Sequence, residues 1–373
     1  LGACVLVASN HFASMFIGLE LMSVSLFAMV GYMAYSKQQV SMTLEAGVKY
    51  MVLSGVSSSF LLFGVALIYA YAGTLTIDLK VISGGPHLQS GYLVVGAALM
   101  LVGVAFKMSW VPFHMWTPDV YQGAPAPVTG FLAAAVKVAV FAFVMRWLMM
   151  AQGEYLNGLL LGLTLMAVLS MIMGNLLALR QSNLKRLLGY SSIAHMGYLI
   201  VTLAATAPDG AAALSTALEG AAIYLITYAC MTMLAFAVIS QLAAKDRRFE
   251  SGTLMDYEGL LFQQPLLAGS LILAMLALAG MPLTAGFIGK YYLVLVAVDS
   301  QLWMLLGLLV LGSSLGLYYY LRVILVLCKP PVSDHHWVLG TNEKLLLMLL
   351  MLATLWLGIY PTPLIEWVQF AIA

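Results

Sequence analysis

Charged residues are scarce in this sequence. Only 8% of its 373 positions are Asp, Glu, Lys or Arg, against about 25% in soluble domains. That scarcity, beside 63% hydrophobic residues, excludes a soluble globular domain. Net charge is +1, so nothing suggests nucleic acid as a partner. Cysteine is sparse too. Cys4, Cys230 and Cys328 lie in or near apolar runs and lack the pair spacing of zinc, haem or iron–sulfur ligation. There is no glycine-rich phosphate loop in a strand–helix context, no nucleophile–base arrangement, and no flavin or quinone signature. The sequence therefore points away from covalent chemistry by this chain. A charged leader with a small-residue cleavage site is also missing. The first residue is Leu1, inside an apolar run, so Leu1–Ser9 is expected to be the tail of a span that begins upstream.

What the chain does have is long apolar runs. A bilayer span needs about 20 apolar residues. Candidates follow the opening tail at 12–34, 44–72, 91–122, 126–150, 156–179, 184–206, 211–242, 265–298, 301–328 and 343–360. The reading is an all-α polytopic membrane protein. The loop Lys245–Glu258 mixes both signs of charge and is expected to hold a short amphipathic surface helix. Pro361 and Pro363 end the last span and leave a short apolar tail.

Loop charges test the span count. Lys37, Arg180, Lys185, Arg186, Lys245, Arg247, Arg248, Arg322, Lys329 and Lys344 fall on one side; Lys80 and Arg146 fall on the other. This asymmetry makes the first side cytoplasmic.

Two spans are too long and are interrupted. Pro112 and Pro118 fall inside 91–122; Gly280, Pro282, Gly286 and Gly289 fall inside 265–298. Proline removes a backbone bond and kinks or breaks a helix. Broken helices at matching places in two halves point to a transport path. Counting the opening tail as helix one, the first break lies in helix four. Counting again from 156–179, the second also lies in helix four. Five helices is an odd number, so the second unit enters the membrane inverted. The expected division is 1–150, 151–328 and a C-terminal span and tail at 329–373.

Ionisable residues sit at depth in these spans. Lys137 lies near the middle of 126–150. A charge at the bilayer centre costs roughly 2.5–3.5 kcal/mol on insertion scales and normally marks function. Lys107 precedes the first break and Lys290 follows the second. Glu20 and His195 each occupy the second helix of their unit. Burial lowers the pKa of a lysine and a nearby carboxylate raises it, so a Lys–Glu pair made and broken is a switch for proton affinity. Glu20 and Lys49, on adjacent helices, are the expected pair. Lys107, Lys137, His195 and Lys290 would continue a relay, histidine being suited by a pKa near 6.5.

Static readings stand beside these. Lys49 is near enough to its helix start to snorkel. Lys107 and Lys290 can bond carbonyls freed by the breaks, His195 can be a satisfied packing residue, and Glu20 can hold a fixed ion pair. His114 and Asp119, flanking Trp116, suit either backbone capping or a relay. Glu219 reads as interfacial, and the loop pair His335–His336 is a weak metal signal.

The segment from Val111 to Pro125, VPFHMWTPDVYQGAP, resembles the broken-helix motif of the antiporter-like membrane subunits of respiratory complex I, the NADH:quinone oxidoreductase, in its N-type branch. Lys185–Tyr198, KRLLGYSSIAHMGY, and Gly286–Lys290, GFIGK, resemble further motifs of that family. The resemblance implies two inverted five-helix repeats, each with a broken helix, in a bacterial inner membrane. It implies that the family's first three helices and part of the fourth precede Leu1. It matches Glu20 and Lys49 to the family's Glu–Lys pair, Lys107 and Lys290 to its broken-helix lysines, Lys137 to its connecting lysine, and His195 to a histidine between half-channels. The L type is disfavoured by the lack of a long lateral helix after 343–360, and the M type by Lys290 where that type carries glutamate.

The implied function is proton translocation driven by redox chemistry in other subunits. FMN, iron–sulfur clusters and quinone would lie elsewhere in the complex, with no cofactor or metal in this chain. The implied partners are an M-type neighbour, small hydrophobic membrane-arm subunits and lipid. The competing readings are a cation/proton antiporter subunit of the same fold and a structural spacer.

Overall fold

The computed structural model describes residues 1–32, 40–77, 91–150, 154–206, 211–246, 248–331 and 339–372. Lys37, Lys80, Arg247 and the His335–His336 pair lie outside the described residues. The elements are α1 (Gly2–Ala8), α2 (Phe12–Val30), α3 (Val40–Ala72), α4 (Gly91–Met108), α5 (Trp116–Gly123) and α6 (Ala126–Phe131). A π-helical turn, Leu132–Val136, joins α6 to α7 (Lys137–Met150). Then come α8 (Glu154–Leu179), α9 (Leu184–Ala204), α10 (Ala211–Lys245), α11 (Arg248–Ser251), α12 (Leu260–Gln263), α13 (Pro265–Ala279), α14 (Ala285–Asp299), α15 (Trp303–Leu327), α16 (Thr341–Ile359) and α17 (Thr362–Ile372).

Among the described residues, 9 helices are long and apolar enough to cross a membrane. They coincide with the expected spans except at 265–298. That span is two 15-residue helices, α13 and α14, each too short to cross alone. Its companion, 91–122, is broken between α4 and α5. One expectation needs correction. The Lys245–Glu258 loop forms separate short turns, α11 and Leu254–Tyr257, rather than one surface helix. The apolar tail after Pro361 is helical, because Pro363 sits where a first turn needs no N–H.

Both breaks have local causes. In the first, Ser109 adopts a left-handed φ of 63° and Pro112 has no N–H to give. Freed groups find new partners, as hydrocarbon demands. Val111 N–H donates to Ser170 Oγ at 2.9 Å, and Trp116 Nε1–H donates to Phe106 O at 2.9 Å. In the second, Gly280 takes φ 84°, a conformation that costs glycine little. Gly286 lets α14 meet α13 closely; a Cβ there would lie 1.7 Å from Ala277 O.

Helix α9 is the axis of the bundle. It packs against α5, α8, α10, α14 and α15, and 94% of its span is buried. A helix enclosed on all sides can carry polar groups only if neighbouring helices satisfy them. Helix α9 carries Lys185, Ser191, Ser192, His195 and Tyr198.

Candidate functional site

Three clusters of buried polar groups around lysines lie inside the bundle. The first surrounds Lys107 at the end of α4. Its ammonium donates to Ser23 Oγ on α2 and Ser54 Oγ on α3, both at 2.6 Å. Glu20 is one turn before Ser23, and Ser58 is one turn beyond Ser54. The Ser58 hydroxyl donates to Glu20 Oε1 at 2.5 Å. The Glu20 carboxylate thus lies within electrostatic reach of Lys107.

This overturns one expectation. Glu20 and Lys49 do not pair. Lys49 is 40% exposed and binds Glu45 at 2.5 Å and Asp119 at 2.7 Å. The other Asp119 oxygen accepts from Arg186 Nη1 at 2.6 Å. Asp119 therefore bridges two cations rather than capping backbone. Helix rotation decides this: Lys49 faces the cleft between α3 and α5, whereas Ser54 and Ser58 face α2 and α4. His114 is buried in the turn after the first break, and its Nδ1 has no hydrogen-bond partner among the described residues.

The second cluster lies at the centre. Lys137 is 0% exposed, and the π-helical turn ends directly before it; such turns mark functional positions in many helices. Its ammonium donates to Ser192 Oγ at 2.6 Å. Ser192 Oγ in turn lies 2.5 Å from Tyr228 OH and 3.5 Å from Tyr121 OH. No carboxylate pairs with Lys137 among the described residues. One turn along α9, His195 has both ring nitrogens occupied: Nδ1 by Tyr224 OH at 2.6 Å and Nε2 by Tyr320 OH at 3.1 Å. The His195 and Tyr228 rings are 5.4 Å apart.

The third cluster holds Lys290. Its ammonium crosses the second break to donate to Ala279 O at 2.7 Å. It also lies 5.8 Å from the centre of the Tyr198 ring. The Tyr198 OH accepts from Asn175 Nδ2 at 2.9 Å, and Asn175 Oδ1 accepts from Tyr319 OH at 3.1 Å. A lateral cleft of about 840 Å³ opens beside Lys290, with Ser313 and Ser314 in its wall. All three lysines sit near an aromatic ring, Phe106, Tyr121 or Tyr198, as cations in low dielectric favour.

The hydroxyl groups between the cations escaped the sequence reading. Tyr224 and Tyr228 lie four residues apart near the middle of a span. Tyrosine in membranes prefers the interfaces, so that placement was the available signal. Lys185 and Glu250 also escaped notice. They read as loop charges, yet they form a buried ion pair at 2.8 Å, 2% and 8% exposed. No group of three metal-binding side chains converges among the described residues.

Fold and site together define a multi-pass helical bundle with cationic and hydroxyl groups along its interior. The chain belongs to the family described as NADH:quinone oxidoreductase/Mrp antiporter, transmembrane, which matches residues 9–316. It is a multi-pass protein of the bacterial inner membrane. Among its relatives is NADH-quinone oxidoreductase subunit N of Ectopseudomonas mendocina (strain ymp). The two are 46% identical over 379 residues, covering 99% of this chain and 74% of the relative. Among solved structures, respiratory complex I from Thermus thermophilus with bound aureothin contains a chain that is 34% identical, with a TM-score of 0.81 over 98% of this chain and 77% of that one. A chain of the archaeal membrane-bound sulfane sulfur reductase is 28% identical, with a TM-score of 0.88 over 100% and 73%. A chain of the Mrp complex from Dietzia sp. DQ12-45-1b shares the fold, with a TM-score of 0.85 over 100% and 75% at 19% identity.

Proposed function

We propose that this chain carries protons across the bacterial inner membrane as a subunit of an NADH:quinone oxidoreductase. FMN, iron–sulfur and quinone chemistry belongs to other subunits. An M-type neighbour, small hydrophobic subunits and lipid surround the chain. Its two inverted units are 1–150 and 151–328, and 329–373 forms a closing span and tail. The family membership and the 46% identical relative support the assembly. One observation carries the mechanism: Lys137 is completely buried, bonded to a hydroxyl, and has no ion-pair partner among the described residues. Inserting a charge at such a place without a counter-ion is costly. A purely spacing role gains nothing from such a group.

Residue roles follow from the contacts. Glu20 modulates Lys107, whose two serine partners can pass a proton. Lys137, Ser192, Tyr228 and His195 make the central relay, and Lys290 ends the path at the second break. Lys49 and Asp119 belong to the cytoplasmic edge. Lys137→Arg tests the proposal, because arginine keeps the charge but does not deprotonate in proteins. The complex carrying Lys137→Arg should assemble on a native gel and lose most NADH-driven pumping in reconstituted vesicles. Near-normal pumping would make Lys137 a static charge.

A further inference from the structure

We infer that the buried Lys185–Glu250 pair is the cytoplasmic proton inlet to Lys137, an assignment that rests on the relay proposed above. The pair sits at the cytoplasmic start of α9. Lys185 Nζ donates to Glu250 Oε1 at 2.8 Å and to Ala124 O at 2.6 Å. Glu250 Oε1 also accepts from Ala126 N–H at 2.7 Å. Two charges this deeply buried contribute little net stability, so a purely structural tie does not require them. Glu250 lines an open cleft of about 790 Å³ between the cytoplasmic ends of α2 and α10 and the start of α6. Met29, Tyr32, Pro127 and Ala243 form part of its wall. The carboxylate is thereby reached from the cytoplasmic edge, while Lys185 lies on its inner side.

From Lys185 the path inward follows one helix face. Ser192 is seven residues on, two turns or about 10.5 Å along α9. Gly189 lies between them and lets α9 close onto α5: a Cβ there would lie 3.3 Å from Pro118 Cα and 3.5 Å from the Tyr121 ring, so Tyr121 is held against this face. The Tyr121 hydroxyl reaches Ser192, and Ser192 holds Lys137. The proton balance closes. The Lys185 ammonium releases a proton inward, through the Tyr121 and Ser192 hydroxyls, to the Lys137 amine. Neutral Lys185 leaves Glu250 unpaired; the carboxylate takes a proton from cytoplasmic water and returns it to Lys185. One proton has moved from cytoplasm to Lys137, and the pair is restored. The charged cluster of Lys49, Asp119 and Arg186 lies on the same side, but both Asp119 oxygens are already held by cations. Besides Lys185, the titratable groups facing Glu250 among the described residues are Tyr257 and, across the cleft, Tyr32.

Two Glu250 variants separate inlet from tie. Glu250→Gln keeps the length and an oxygen for Ala126 N–H but cannot carry a proton. Glu250→Asp keeps the acid and shortens the reach. In whole complex reconstituted into vesicles, Glu250→Gln should lower pumping about ten-fold or more while Glu250→Asp stays within a few-fold, a loss in keeping with removal of one proton-transfer group. Wild-type pumping by Glu250→Gln overturns the inlet, as does an equal loss in both variants with assembly intact. If Glu250→Gln does not assemble, Ala243→Trp decides: it narrows the cleft while leaving both members of the pair in the sequence. Reduced pumping by assembled Ala243→Trp supports the inlet, and unchanged pumping overturns it. Lys137→Arg in the same vesicles keeps the two ideas apart. If it pumps normally, the relay itself fails; if it does not while Glu250→Gln does, only the inlet fails.

Discussion

Each broken helix carries a buried lysine, before the break in the first and after it in the second, and the two are satisfied in different ways. Lys107 reaches outward to hydroxyls on two other helices, with Glu20 one turn away. Lys290 reaches back across its own break to a backbone carbonyl eleven residues earlier. A hydroxyl both accepts and donates, so it can hand a proton on. A carbonyl can only hold the cation. The first lysine is thus held by side chains alone, and the second, besides its proposed place at the end of the path, helps close the broken backbone. The Lys107 cluster can change without disturbing its break, which Ser170 and Trp116 seal separately.

The largest expected difference comes from packing at the second break. Gly286→Val places a side chain where even a Cβ would meet Ala277 O at 1.7 Å. The complex should fail to assemble, seen as loss of its band on a native gel. A normal band would show that α13 and α14 can separate, which their contact denies.

Next come the lysines themselves. Lys290→Ala leaves Ala279 O without its donor in a buried setting, a cost of about 1–3 kcal/mol, and should lower the yield of assembled complex. Lys107→Ala should leave the yield unchanged, because Ser23 already donates to its own helix at Leu19 O, 2.7 Å away. It should still abolish most pumping. Equal yields for the two variants would remove the contrast between the breaks.

A smaller effect is expected from the serines. A hydrogen bond to a charged group contributes about 1.5–3 kcal/mol. Ser54→Ala should therefore slow pumping about ten-fold or more without affecting assembly, and Ser23→Ala/Ser54→Ala should exceed either single change. Initial rates of vesicle acidification measure this. Non-additive rates in the double variant would show that both hydroxyls serve one transfer.

The smallest effect belongs to Lys49→Gln. This lysine is 40% exposed and shares its carboxylate with Arg186. Exposed pairs of this kind contribute about 0–1 kcal/mol, so thermal stability of the complex should barely move. A large loss of pumping by this variant would reinstate Lys49 as the functional partner of Glu20.

Much of this architecture was legible along the chain. The runs at 184–206 and 301–328 became α9 and α15 nearly residue for residue, because a bilayer imposes length and apolarity locally. Both breaks were legible, since proline and glycine act on the backbone wherever they stand. The depth of Lys107, Lys137 and Lys290 followed from their distance to the span ends. The partner of Glu20 was not legible, because Ser58 lies 38 residues away on another helix. Nor was the Lys185–Glu250 pair, whose members are 65 residues apart and read as surface charge.

By itself the sequence determined where the chain crosses the membrane, where two helices break, and which cations lie at mid-depth. Each of these depends on a run of neighbouring residues and the solvent around it. Tertiary structure alone decided that Glu20 bonds Ser58 rather than Lys49, that tyrosine hydroxyls hold both nitrogens of His195, and that Lys185 and Glu250 form a buried ion pair. Those outcomes depend on how each helix is rotated against its neighbours. That rotation is set by close packing of small residues and by the need to pair every buried polar group, which no single segment can express.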